Sequence, residues 1–247
     1  MNNQNKETAW YQSWFDSPYY HILYKHRDFD EATEFVQTLI SFLNLPNDAF
    51  ILDLACGKGR HSVQFNKAGY FVTGLDLSPK SIDEANQTQN KDLEYYVHDM
   101  RDHFRSNYYD LVVNLFTSFG YFENLHDNER VISNIQWALK PKGIFVLDYF
   151  NADFVARNLI QKEMKLIDGI EFNIHREIVA DSVKKHIQFE DQGQNYSFTE
   201  EVKLFSPHTL SHLIENTGLK IKQVFGNYNL SQFNEKTSPR VIIIAQK

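Results

Sequence analysis

The segment Ile51-Leu52-Asp53-Leu54-Ala55-Cys56-Gly57-Lys58-Gly59-Arg60 constrains this chain more than any other. An apolar strand runs into a turn holding two glycines, and a helix begins at once. Glycine there lets a ligand approach the backbone, and the free N–H groups of a helix's first turn favour a polar or anionic group. Several nucleotide-binding folds use such a loop, so its surroundings decide what it means.

The alternation around it sets the fold class. Residues 60–68 read as a helix stopped by Gly69, the usual residue for a left-handed C-terminal position. Residues 70–75 read as a second strand. Ser78-Pro79 opens a helix, because Ser caps and Pro is tolerated at the first helical position. Strands follow at 93–97, 111–115 and 144–147, and Val131, Ile132, Ile135, Ala138 and Leu139 mark a helix ending before Pro141 and Gly143. Such alternation means right-handed crossovers and a mainly parallel sheet with helices on both faces, a Rossmann-like α/β architecture. Upstream, Asp28 or Asp30 begins a helix with Phe35, Val36, Leu39, Ile40 and Leu43 on one face.

After about residue 160 the rhythm changes to period 2. Phe172/Ile174, Ile187/Phe189 and Tyr196/Phe198 alternate between turn signals at Asp168-Gly169, Asp181-Ser182 and Gln192-Gly193, an inserted antiparallel β meander. Ser206-Pro207 restarts a helix that Gly218 stops, and strands at 219–225 and 240–245 close the sheet. The expected organisation is an aromatic arm and helix over 1–44, a ligand-binding core over 45–160, a substrate-covering meander over 161–205, and a closing helix and strand pair over 206–247.

Composition excludes several classes. Twenty Phe and thirteen Tyr against ten Gly, with 42% hydrophobic residues, supply a large core and rule out wholesale disorder. No apolar run nears the roughly 18 residues of a membrane span. Residues 1–7 lack the layout of a signal peptide, so a cytoplasmic protein without a membrane partner is expected. Cys56 is the only cysteine, which excludes an intrachain disulfide and a thiolate zinc cluster. The formal charge of −7 argues against broad contact with phosphate backbones, so no nucleic-acid partner is expected.

Three features sharpen the glycine loop. A dinucleotide pattern would need Gly or Ala at position 62, where Ser62 stands, and Lys58-Gly59-Arg60 lacks the ending of a P-loop. Asp53, just before the glycines, would repel a triphosphate but attract an ammonium group. Asp76 ends the next strand, where a carboxylate can accept both ribose hydroxyls, and Asp99 follows the third, placed to accept an adenine amino proton. Acceptors for an amine, a ribose and an adenine at three successive strand ends describe S-adenosylmethionine.

These residues also carry a family resemblance. Residues 52–60 are similar to the first motif of class I S-adenosylmethionine-dependent methyltransferases, Thr73-Gly74-Leu75-Asp76-Leu77-Ser78 resembles the second, and His98-Asp99-Met100 the adenine-edge position. Phe116-Thr117-Ser118-Phe119-Gly120-Tyr121-Phe122 resembles a substrate-side loop of bacterial small-molecule members. The resemblance is strong over about 45–150, and implies a seven-stranded sheet whose last strand is antiparallel. The insertion, the arm and Val146-Leu147-Asp148-Tyr149-Phe150-Asn151 resemble the glycine and sarcosine N-methyltransferase-like branch. Tyr149-Phe150 stand where that branch has basic residues, so its substrate does not transfer.

By this resemblance Asp53 orients the methionine amine, and Ala55, Cys56, Gly57 and Gly59 line the methionyl and ribose portion. Asp76 binds ribose with Leu77 against the adenine, Asp99 meets the adenine amine, and Met100 packs on its ring. Arg27 clamps the methionine carboxylate, and Asn114 joins the cofactor set. Phe116, Ser118, Tyr121, Asp148 and Tyr149 are candidates for the acceptor side. Tyr11, Trp14, Tyr19, Phe116, Phe119, Tyr121 and Phe150 are candidate aromatic walls, since ring faces stabilise a sulfonium. Asp148, Tyr121 and His175 are candidate bases, none of them assigned. The implied activity is in-line methyl transfer to a small-molecule acceptor by a monomer or homodimer. A macromolecular acceptor, a non-catalytic S-adenosylmethionine-binding module and a nicotinamide dehydrogenase are the alternatives. His208 and His212 have the i, i+4 spacing of metal ligands but no accompanying glutamate, so no metal is expected.

Overall fold

A computed structural model describes residues 10–25 and 29–247. Arg27 therefore lies outside the described residues. The chain begins with two short helices, α1 (Trp10–Phe15) and α2 (Pro18–Leu23), and a longer one, α3 (Phe29–Leu43). The core then alternates β1 (Phe50–Leu54), α4 (Arg60–Lys67), β2 (Phe71–Asp76), α5 (Pro79–Ala85), β3 (Leu93–Val97), β4 (Tyr109–Asn114), α6 (Leu125–Ala138) and β5 (Leu139–Phe150). After α7 (Ala152–Asn158) come β6 (Lys162–Ile167), β7 (Ile170–Val179), β8 (Ser182–Asp191) and β9 (Gln194–Lys203). The chain closes with α8 (Pro207–Glu215), β10 (Lys220–Phe225) and β11 (Arg240–Gln246).

Seven strands form one sheet in the order β10-β11-β5-β4-β1-β2-β3. β1 to β5 pair in parallel, and β11 runs antiparallel to both β5 and β10. The seven-stranded sheet with an antiparallel final strand stands as expected. Helices cover both faces, which is why the central strands read as unbroken apolar runs. Leu111, Val112 and Val113 of β4 are all fully buried, and two apolar layers lie on opposite sides of the sheet. Strand order reverses between β4, β1 and β2, so a crevice opens at the carboxyl ends of these strands.

The local signals act as read. Ser78 caps α5 through its Oγ, which accepts from the Ser81 N–H at 3.1 Å, and Gly69 takes a left-handed φ of 99°. Asp168-Gly169 and Gln192-Gly193 both have two positive φ values, the backbone of a tight hairpin turn. One turn sits a residue earlier than expected: β8 starts at Ser182, and Ala180 takes the positive φ instead. The four strands β6-β7-β8-β9 form a separate antiparallel sheet. Its apolar face, with Phe172, Ile174, Ile187 and Phe189, shares one cluster with Trp14 of α1 and Leu23 of α2. The arm thus supplies the burial that the meander lacks on its own. Among the described residues no helix is long and apolar enough to cross a membrane.

Candidate active site

The crevice holds a cavity of about 490 Å³. Its floor is the loop after β1, its sides the ends of β2 and β3 with the loop after β4, and its roof the arm. Of the residues expected at the cofactor, Ala55, Gly57, Asp76, Leu77, Asp99 and Met100 line it together, and of those expected to meet the acceptor, Phe116, Ser118 and Tyr121 line it as well.

The loop is built around Asp76. One carboxylate oxygen accepts from the Gly57 N–H at 2.8 Å and the other from the Ser78 N–H at 2.9 Å, while the Cys56 N–H donates to the Leu75 carbonyl at 2.9 Å. Ala55, Gly57 and Gly59 all take left-handed φ values, a cost that the stitching to β2 offsets. The two loop glycines differ in purpose. A Cβ on Gly57 would meet nothing within 4 Å, so open space lies where a ligand can reach the backbone. A Cβ on Gly59 would lie 2.3 Å from the Tyr95 hydroxyl, so this glycine admits a buried ring rather than a ligand.

Several expected residues do not line the cavity. Asp53 is buried behind the wall at 1% exposure, and its carboxylate accepts from Ser62 Oγ of α4 at 2.6 Å. The position expected to be Gly in a dinucleotide loop is thus the partner that turns Asp53 inward. Cys56 packs behind the loop, and its thiol is pushed well up by burial. Asn114 is buried and donates to the Leu54 carbonyl at 3.0 Å. Tyr149 points into the core, where its hydroxyl donates to the Lys203 carbonyl. Asp148 is taken up by the loop backbone and a half-buried cation: it accepts from the Phe116 N–H at 2.7 Å and from Arg240 Nε at 2.8 Å. Of the other candidate bases, Tyr121 donates to the Thr117 carbonyl at 2.6 Å, and His175 stacks on His186 in a depression formed by the meander. Trp14 and Tyr19 serve the arm–meander cluster. Among the described residues no group of three or more His, Cys, Asp or Glu could hold a metal.

Burial pushes the Asp53 carboxyl up to about 6, against the opposing pull of its Ser62 hydrogen bond. Because this lies above the ordinary 3.8, the folded protein keeps a proton that the unfolded chain releases between the two values. Stability therefore falls as pH rises from about 3.8 to about 6, by roughly 3 kcal/mol. Asparagine carries no such cost and still accepts from Ser62. Asp53→Asn is expected to raise the melting temperature by about 8 °C at pH 7.5, a gain that shrinks towards pH 4.5. Identical melting curves for both proteins at pH 7.5 would contradict this.

The cavity is acidic. Asp16, Asp76 and Asp99 line it, and no lysine or arginine does so among the described residues. Burial raises the Asp76 carboxyl, its Ser78 and Gly57 hydrogen bonds oppose this, and the nearby Asp16 charge raises it further. For Asp99 burial also raises, but Arg101, 2.6 Å away, wins and holds it below the usual range. Asp16 was missed in the sequence because it sits in the arm, outside any motif; it accepts from Ser78 Oγ, and its carbonyl accepts from Lys80 Nζ at 2.9 Å. A second cavity of about 280 Å³ shares Phe15, Tyr20, Phe116 and Tyr121 with the first. Phe116 and Thr117, at this boundary, both have positive φ, a strain that the bond from Asp148 to the Phe116 N–H holds in place.

Residues 52–147 match a family model described as a methyltransferase domain. The provisionally assigned methyltransferase YqeM of Bacillus subtilis (strain 168) is 29% identical over 140 residues, 56% of this chain and 55% of that protein. The match thus spans about half of that relative. A dTDP-3-amino-3,4,6-trideoxy-alpha-D-glucopyranose N,N-dimethyltransferase of Streptomyces venezuelae is 25% identical over 69% of this chain and 72% of its own. Among solved structures, an S-adenosylmethionine-dependent methyltransferase from Clostridium acetobutylicum ATCC 824 superposes with a TM-score of 0.78 at 18% identity, covering 92% of this chain and 95% of that one, a likeness of fold. Residues 52–147 thus carry a methyltransferase domain, and the sheet order and acidic glycine-loop cleft are similar to those of class I S-adenosylmethionine-dependent methyltransferases. A neighbour of similar fold, the amino pentose methyltransferase CalS10, is a structure with S-adenosylmethionine bound, at 19% identity and a TM-score of 0.71 over 93% of this chain and 97% of that one. The cleft suits that cation: it has open space at Gly57, two acceptor oxygens on Asp76, and an acidic lining free of lysine and arginine among the described residues.

Proposed function

We propose that the enzyme transfers a methyl group to a small molecule held in the aromatic cavity beside the donor cleft. The observation that carries this reading is the shared wall of Phe15, Tyr20, Phe116 and Tyr121 between the two cavities. Asp76 takes the ribose hydroxyls, Asp99 and Met100 the adenine edge, and the backbone of residues 55–57 the methionyl portion. Asp53 acts from behind, fixing the start of α4 through Ser62. Displacement at a methyl needs nucleophile, carbon and sulfur in line and water kept out. A ring-walled junction meets both needs, and aromatic faces stabilise the sulfonium that reacts there. A cavity of about 280 Å³ under the meander favours a small acceptor over a macromolecule, and the similar Streptomyces venezuelae enzyme is named for a nucleotide-linked amino sugar.

Calorimetric titration with S-adenosylhomocysteine and with NADH tests the donor, and release of S-adenosylhomocysteine from a panel of small amines, alcohols and carboxylates tests the acceptor. Binding of the nucleoside without NADH, and turnover of at least one small molecule, is expected. Turnover on protein or RNA preparations alone would refute the small-acceptor reading.

A further inference from the structure

We propose that Glu200 receives the proton of the acceptor, and that the acceptor is an amine entering from the meander side. This rests on the small-acceptor reading above. A third cavity, about 360 Å³ between α7 and the meander, shares Phe150, Glu200 and Val202 with the second. The three cavities therefore adjoin in a row, with the donor cleft at one end and Glu200 at the junction of the other two.

Glu200 is the one carboxylate lining the second cavity among the described residues. Arg240 also lines it, but its charge is met by Asp148 at 2.7 Å. Glu200 is held from three elements. Oε1 accepts from Trp14 Nε1 of α1 at 2.7 Å and from the Tyr24 hydroxyl, just after α2, at 2.6 Å. Oε2 faces the Lys185 ammonium of β8 at 3.6 Å, beyond hydrogen-bond distance. That ammonium donates to the Tyr24 hydroxyl and stands 4.4 Å over the Tyr24 ring. A fixed carboxylate beside a tyrosine face is the chemistry that binds an alkylammonium, and the chain's own lysine already uses it. With Oε1 committed, Oε2 is the oxygen left to meet a ligand, and the side chain needs no reorganisation to do so.

An amine arrives as R–NH3+ and cannot attack while all four nitrogen electron pairs are held in its three N–H bonds and its bond to carbon. One proton passes to Glu200 Oε2, and the freed nitrogen lone pair forms the bond to the methyl carbon. The carbon–sulfur bond breaks with its electron pair remaining on sulfur. The product leaves as R–NH2+–CH3, and Glu200 returns its proton to water through the third cavity.

Benzylamine and benzyl alcohol differ at the group that Glu200 would meet, so both are titrated calorimetrically into enzyme saturated with S-adenosylhomocysteine. Glu200→Gln keeps an acceptor oxygen for Trp14 and Tyr24, and unchanged melting and nucleoside affinity show an intact site. Benzylamine affinity is expected to fall about tenfold or more in the variant, with benzyl alcohol unaffected. Equal amine affinity in both proteins, parallel loss of amine and alcohol, or wild-type enzyme that takes no amine overturns the inference. Should Glu200→Gln melt early, Glu200→Asp, which withdraws the carboxylate by one methylene, is read by the same amine-to-alcohol contrast. Wild-type enzyme that fails to bind S-adenosylhomocysteine would instead remove the donor reading beneath it.

Discussion

Asp76→Ala should weaken S-adenosylhomocysteine binding by about 3 kcal/mol, roughly 150-fold, with little change in melting temperature. Two effects add. The ribose hydroxyls lose charge-assisted hydrogen bonds, each worth about 1.5–3 kcal/mol. The Gly57 and Ser78 N–H groups also lose their acceptor, so the loop no longer presents its backbone in one arrangement. The fold survives because the Cys56 N–H still bonds to the Leu75 carbonyl and Ser78 still caps α5. Asp99→Ala should cost only about tenfold, since Arg101 already neutralises that carboxylate and a single amine contact is lost. Isothermal titration of both variants checks the order. An unchanged dissociation constant for Asp76→Ala would sink the ribose assignment.

The core was legible because its signals are local. A cap at Ser78, a stop at Gly69, and apolar runs of strand length each act within one turn or one strand, and their alternation gave the parallel sheet. The direction of Asp53 was not legible. The same strand-end position permits a side chain in the cleft or behind it, and Ser62, nine residues on, decides through one hydrogen bond. Contacts between distant segments left no pattern at all. Trp14 meets Glu200 across 186 positions, and Asp148 meets Arg240 across 92. In sequence Glu200 and Glu201 look like any solvated pair on a strand, and only the pleat of β9, with the arm laid over one face, sends the first of them inward. Asp16 is hidden for the same reason: its place at the cleft depends on the arm folding back over α5.

The two glycines of the loop should separate stability from binding when each is replaced by alanine. At Gly59 the backbone has φ +78°, a conformation costing an alanine about 1–2 kcal/mol. The new methyl would also lie 2.3 Å from the Tyr95 hydroxyl and 2.7 Å from its Cζ. That ring cannot step aside, because it is buried and already sits tightly against Gly74, where an added Cβ would meet it at 2.4 Å. Strain and overpacking together should cost about 3–4 kcal/mol, a fall of about 10 °C in melting temperature. At Gly57 only the strain applies, since the methyl would enter open space, and the melting temperature should fall by about 3 °C. That open space is where the donor's methionyl portion is assigned, so Gly57→Ala should lose at least tenfold in S-adenosylhomocysteine affinity. Thermal melts and titrations of the two variants read both effects. Wild-type affinity in Gly57→Ala would mean that the ligand never reaches this stretch of backbone, whatever its stability.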